Sequence, residues 1–397
     1  MRVNRVTSTL AVGLSLLLVS TACSSSDNAG TAGDSGPSAE PGLSSSTTSG
    51  TKAKVMVAGD ITSTIPFTVP EIVPAVKGAL RDTGLQVVTC DTKGTPGGAQ
   101  ACEHQAVADG VVAVINGFSQ MNADQAILTK ANIALLGQTD DTSPTSFDIN
   151  SLYGGYVSLG LGIAKTGCDK LGILYLDGTD LLVDNVKNGF EAQGGKEVAR
   201  AAVASNAPDL TPAVAKITGA GAQCVALSLT PTQVAQAITA IKQSGKSLIM
   251  GGVAGIFTPQ VRKSLGSLVE GVVTVTTTED PSDNGPGLDQ YRADIKAVDS
   301  GAQPASVGVL VWAAAKLVAA ALPKIEGPVT ATTMLAALNG LRDVDLGGVI
   351  PNWSSVELDN PAYKRWFNHY GVTYKIHDGN LVRQGDFYDL APVLDAK

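Results

Sequence analysis

The chain has 397 residues, 44% of them apolar and only 16% charged, with a formal net charge of −8. That composition excludes a disordered chain, and the length is enough for a large core divided between two domains. No basic stripe occurs anywhere, which excludes a nucleic-acid or phosphate-rich partner.

The first 23 residues read as a targeting segment. Arg2 and Arg5 form a positive start, and the apolar run at 10–19 is shorter than the roughly 20 residues a bilayer-spanning helix needs. Small residues Ser20, Thr21 and Ala22 lead to Cys23. The arrangement resembles a bacterial lipoprotein signal, although Ser20 stands where that pattern usually has Leu. The resemblance implies that Cys23 is lipidated and anchors the protein to the outer face of the cell membrane; the alternative is an ordinary secretory signal cut nearby. Residues 24–52 hold no aromatic side chain and are mostly Ser, Gly, Thr, Ala and Pro. Such a stretch cannot offset its own ordering entropy and reads as a flexible tether.

Beyond the tether, short apolar runs alternate with helical patterns. Strands are expected at 55–58, 85–89, 111–115 and 133–136, with helices at 74–81, 99–108 and 123–130. The stretch DGVVAVINGFSQMNAD at 109–124 is the most informative. Its unbroken β-branched run suits a parallel strand covered on both faces. The Asn-Gly break then leads to Ser119 and Asn122, each placed to accept from free N–H groups at the start of the next helix. Thr68 and Glu71 have capping-box spacing, but Pro74 argues that the regular helix begins only there.

A second set of the same kind follows, with strands at 171–176, 197–204, 224–228 and 248–250 and helices at 181–192, 212–218 and 231–243. Another strand is expected at 272–277, helices near 288–298 and 306–322, and a hairpin of strands at 372–376 and 381–387 around Asp378-Gly379. Fold class is therefore α/β, with two doubly wound parallel sheets.

This order of elements is similar to the type I periplasmic-binding fold, in particular the branched-chain amino-acid or amide solute-binding lipoproteins of ABC importers. The stretches that carry the likeness are KVMVAGD at 54–60, CDTKGTPGGAQACEHQAVADGVVAVINGFS at 90–119, GQTDDTSP at 137–144 and KLGILYLDGTD at 170–180. The resemblance implies three hinge crossings, with 53–150 and 278–345 in one lobe and 151–277 and 346–397 in the other. It also implies capture of a small molecule in the cleft and delivery to a membrane permease, with a surface sensor subunit as the alternative role. The expected ligand contacts are Phe67, Phe118, Ser119, Gln138, Thr139 and Asp140 from the first lobe and Asp177, Thr230 and Val253 from the second. In amino-acid binders of this family an acid after the fourth strand of the second lobe holds the α-ammonium. Here that loop reads GGVAG, so the cargo expected is small, neutral or zwitterionic and partly apolar, and not a standard branched-chain amino acid.

With Cys23 set aside, four cysteines remain, and they allow three pairings. Cys90 ends one strand and Cys102 lies in the next helix; Cys168 and Cys224 each precede strands that are neighbours if the sheet order is the usual one. The pairs expected are Cys90 with Cys102 and Cys168 with Cys224, in an oxidising compartment. No Cys/His spacing of a zinc site occurs, so neither metal nor cofactor is expected, and the chain is read as a monomer. The enzyme alternative is a serine hydrolase using Ser119, since Gly117-Phe118-Ser119 resembles the start of a nucleophile elbow. Met121 occupies its last glycine position, and only His369 or His377 is available as base.

Overall fold

The computed structural model describes residues 53–63, 68–119, 121, 125–139, 142–150 and 152–395. The leader, Cys23, the tether and the proposed contacts Phe67 and Asp140 lie outside them. Strands β1 (Lys54–Gly59), β2 (Gln86–Asp91), β3 (Val111–Asn116), β4 (Ala134–Gly137) and β5 (Ser146–Asp148) form a parallel sheet in the order β2-β1-β3-β4-β5. Helices α1 (Ile72–Leu80), α2 (Pro96–Ala108) and α3 (Ala126–Lys130) connect them. Along β1, Val55 and Val57 enter the core shared with α1, while Met56 and Ala58 enter the one shared with α2. That period of two, with both faces covered, is why the strands are apolar at every position rather than at alternate ones.

The second sheet starts after α4 (Leu152–Ala164). Its connections run through β6 (Lys170–Leu176), α5 (Asp180–Glu191), β7 (Lys196–Val203), α6 (Thr211–Gly219), β8 (Cys224–Ser228), α7 (Pro231–Gln243), β9 (Ile249–Val253), α8 (Pro259–Leu265) and β10 (Val273–Thr276). The parallel order β7-β6-β8-β9-β10 repeats that of the first sheet. Helices α9 (Pro286–Val298), α10 (Ser306–Ala321) and α11 (Ala331–Asn339) then return to the first core. The chain ends with β11 (Tyr370–His377), β12 (Asn380–Arg383), β13 (Tyr388–Asp389) and α12 (Ala391–Leu394). Strand β11 adds antiparallel to β10, and both β12 and β13 pair with β11. The β11–β12 turn has Asp378 and Gly379 both at positive φ, the backbone that its Asp-Gly sequence favours.

By length and composition the helical stretch Ser306–Lys324 is able to cross a membrane, yet most of it is buried inside the protein. It is a core helix, with Trp312 donating from Nε1 to the buried Asp294 at 2.8 Å and Arg81 of the α1 C-terminus paired with the same carboxylate at 3.0 Å.

Both disulfides form as the sequence indicates. Cys90 at the end of β2 bonds Cys102 on α2, with Cα atoms 5.7 Å apart. Cys168 bonds Cys224, and β6 and β8 are indeed neighbours. Two local expectations differ. Helix α1 begins at Ile72, with Pro74 inside its first turn, where a missing N–H leaves no helical bond unmade. Helix α3 begins only at Ala126, after Gln125, so Ser119 is not at its start.

The chain passes between the sheets three times, and one side chain holds all three passages together. Asn368, 1% exposed, donates from Nδ2 to the carbonyl of Ile149 at 2.8 Å and of Thr277 at 2.7 Å. The Thr277 hydroxyl in turn donates to Asn150 Oδ1 at 2.6 Å. The first core continues beyond residue 345, through Trp353 and Phe367, which pack on Phe147.

Candidate functional site

A cavity of about 250 Å³ lies between the two sheets, at the carboxyl ends of their parallel strands, where open α/β sheets take ligands. The first sheet contributes Gly117 and Phe118 after β3, Gln138 after β4, and Asn150 at the first crossing. The second contributes Gly155 and Tyr156 of α4, Val253 through Gly255 at the end of β9, and Val275 and Thr276 of β10 with Thr277 to Glu279 of the second crossing. Ser306, Val307 and Leu310 of the α10 amino-terminal turns close the wall.

Local sequence explains how Phe118 and Gln138 arrive there. Asn116, fully buried at the end of β3, donates from Nδ2 to the Gln138 carbonyl at 2.8 Å, and its own carbonyl accepts from the Gln138 N–H. The two loops are thereby locked together. Gly117 lets the loop approach α1 and α10: an added Cβ would sit 2.6 Å from Ile72 Cγ2. Gly137 adopts φ of 105°, and a side chain there would strike the Asn116 carbonyl.

Of the proposed contacts, the structure brings Phe118, Gln138 and Val253 together in the cavity wall. Ser119 is buried behind the wall, its hydroxyl donating to Asn116 Oδ1 at 2.8 Å and accepting from the Met121 N–H at 3.1 Å. Thr139 is buried next to Gln138 without lining the cavity. Asp177 is exposed, and Thr230 caps α7 by accepting from the Gln233 N–H; neither lines the cavity. Tyr156, Val275 and the α10 turns are lining residues that sequence reasoning missed. The signal available was the break after the fifth strand of each half, since Gly155 and Tyr156 follow one crossing closely.

Among the described residues the wall has no Lys, Arg or His. The one carboxylate among the described lining residues, Glu279, is 6% exposed and pairs through Oε1 with Arg383 Nη1 at 2.6 Å, while its Oε2 is buried without a hydrogen-bond partner. Burial pushes this carboxyl above the usual range, against the opposing pull of Arg383. The Tyr156 phenol accepts from the Ser228 hydroxyl at 3.0 Å, and burial raises it as well.

Among the described residues no base is paired with the Ser119 hydroxyl. His369 Nδ1 bonds Asp389 and His377 Nδ1 bonds Glu270, and the Ser119 proton goes to an amide oxygen. Glu270, His377 and Asp378 bring three potential metal-ligating atoms within 4.8 Å of one another, all on the surface. They lie at the end of β10 and β11 away from the cavity, because Val273 opens β10 and pairs with Lys375.

Two like-ordered sheets, three crossings and a walled cavity at their carboxyl ends define a two-lobed binding protein. The chain belongs to the periplasmic binding protein family, whose model matches residues 71–373, a family placed outside the cytoplasm. Among solved structures it resembles a solute-binding protein of an ABC transporter from Rhodopseudomonas palustris HaA2 in complex with p-hydroxybenzoic acid, at 16% identity and a TM-score of 0.71, covering 87% of this chain and 99% of that one. A counterpart from Rhodopseudomonas palustris BisB5 in complex with 3,4-dihydroxybenzoic acid matches at 20% identity and a TM-score of 0.68, covering 85% and 98%. A leucine-binding protein from Thermotoga maritima matches at 14% identity and a TM-score of 0.68, covering 85% and 99%. At these identities the likeness establishes the fold. No curated protein matches the sequence significantly.

Proposed function

We propose that the protein captures a small, neutral or zwitterionic, partly apolar solute between two lobes and delivers it to an ABC permease, acting as a monomer held to the membrane by a lipid on Cys23 through the 24–52 tether. Lobe one takes in 53–150 and the α9–α11 segment, and lobe two takes in 151–277 and the C-terminal strands. On this reading the third crossing is put at 366–368, where the family resemblance implies about 345. The observation that carries the reading is the cavity itself, walled by both sheets and by two of the crossings. A ligand touching both lobes favours the closed arrangement by its differential contact energy.

The wall supports the cargo class. Phe118, Tyr156, Val253, Val275, Val307 and Leu310 suit an apolar body. The loop after β9 offers Val253, Ala254 and Gly255 and no acid for an α-ammonium, which argues against a standard branched-chain amino acid. The hydroxybenzoic acids and leucine named for the similar proteins are of the size this cavity takes.

The test is untargeted mass spectrometry of small molecules released from the purified protein, alongside Gly155→Trp. An ideal Cβ on Gly155 meets only Val253 Cγ1, at 3.7 Å, so the indole fills the cavity. A solute released from wild type and absent from the variant supports the reading; equal release from both refutes this cavity as the site.

A further inference from the structure

Resting on the solute-capture reading, we propose that the amino terminus of α10, together with the side-chain amides of Gln138 and Asn150, forms a subsite for an oxygen-acceptor head group, a carboxylate or a carboxamide. Helix α10 is preceded by Ala305 in extended conformation, which supplies no side-chain cap. The first helical turn closes with the Val309 N–H on the Ala305 carbonyl. No described residue accepts from the N–H groups of Ser306 or Val307, and both residues line the cavity. Free N–H groups at the positive end of a sixteen-residue helix favour an acceptor oxygen.

A second, independent feature points to the same chemistry. Gln138 is 6% exposed and faces the cavity, yet its amide hydrogen-bonds to no described residue; only its backbone is engaged, by Asn116. An amide held at the cavity wall with no protein partner is free to hydrogen-bond whatever enters the cavity. Asn150 commits Oδ1 to the Thr277 hydroxyl and leaves its Nδ2 donors unspent among the described residues. Among the described residues this wall therefore offers unspent donors from the α10 N–H groups, Asn150 Nδ2 and Gln138 Nε2, the Gln138 Oε1 being the acceptor beside them. Glu279 does not change this, because Arg383 holds Oε1 and Oε2 has no accessible surface. The head group seen by these donors is uncharged or singly negative, and the apolar body lies against Phe118, Tyr156, Val253 and Val275.

The experiment is calorimetry on the full chain after exhaustive dialysis, with three probes that share a ring and differ in head group: benzoate, benzamide and benzylammonium. Benzoate or benzamide is expected to bind at least about tenfold more tightly than benzylammonium, the ranking of the first two telling an anionic from a neutral head. Gln138→Leu should weaken the better probe about tenfold, the loss of one to two hydrogen bonds, and Gln138→Glu should narrow or invert the preference. Tighter binding of benzylammonium overturns the subsite while leaving solute capture intact, as does an unchanged affinity in Gln138→Leu. If no probe binds, the solute found by mass spectrometry decides: one with an acceptor oxygen whose retention Gln138→Leu lowers supports the subsite, and one that lacks such an oxygen or ignores the substitution overturns it. If neither probe nor co-purified solute is bound, both readings fall.

Discussion

Replacing Asn368 tests the hinge directly. Its Nδ2 serves the carbonyls of Ile149 and Thr277, while its Oδ1 is buried without a partner. Asn368→Ala leaves two buried carbonyls short of a donor, at about 1–3 kcal/mol each, and removes one unsatisfied acceptor, which returns part of that cost. The expected net loss is about 1–4 kcal/mol. Asn368→Asp keeps the shape but turns the donor into an acceptor facing two carbonyl oxygens, so it should cost more than alanine does at neutral pH. Urea unfolding monitored by tryptophan fluorescence reads both, since Trp353 and Trp366 are buried near the third crossing. Equal stability of wild type and both variants, or an aspartate variant more stable than the alanine one at pH 7, would refute the reasoning that one amide joins three crossings.

Gly154→Ala should destabilise severely, because the new Cβ would lie 1.8 Å from Trp366 Cζ2; Gly155→Ala, one residue on, should melt within a degree or two of wild type. Ser119→Ala should cost about 1 kcal/mol from the two loop hydrogen bonds it loses, and an affinity loss with unchanged stability would instead place Ser119 against the ligand. Removing Cys90–Cys102 should cost about 3 kcal/mol and removing Cys168–Cys224 about 4, as chain separations of 12 and 56 predict. His377 is raised above its ordinary value by its hydrogen bond to Glu270 and by Asp378. Its stabilising contribution is thus full at low pH and lost as pH rises through the raised midpoint; Glu270→Gln should lower that midpoint in an NMR titration, and no movement would remove Glu270 as the cause.

The parallel strands were legible because burial on both faces leaves a continuous apolar signature, as in 111–115. The disulfides were legible because they lie at strand ends whose order topology constrains. Phe118, Gln138 and Val253 come to the cavity wall because they lie at or just beyond the carboxyl ends of β3, β4 and β9. The rest of the wall was hidden for a physical reason: α10 reads as core, being apolar nearly throughout, and only the return of the chain past the second sheet brings its amino terminus to the cavity. Ser119 misled because a hydroxyl after a strand has the same sequence signature whether it faces a ligand or, as here, the Asn116 amide. Residues 346–367 carry little periodic pattern, so nothing in the sequence revealed that Trp353 and Phe367 complete the first core.

Several wall residues belong to the hinge itself, and this bears on how a bound solute would act. Asn150 lies at the first crossing, and Thr277 through Glu279 form the second. Thr277 gives its hydroxyl to Asn150 and its carbonyl to Asn368, so a change of angle between the sheets must move the cavity wall along with the clasp. Under the capture reading, ligand contacts and hinge geometry are then one coordinate rather than two sites joined by a path. A solute at a hundred times its Kd would add about 2.7 kcal/mol to stability, comparable to the loss expected for Asn368→Ala. Ligand at that multiple of Kd raises the melting temperature of any variant that still binds, so the diagnostic is affinity: Asn368→Ala should change Kd if binding and hinge share this coordinate, and an unchanged Kd in the folded variant would separate them.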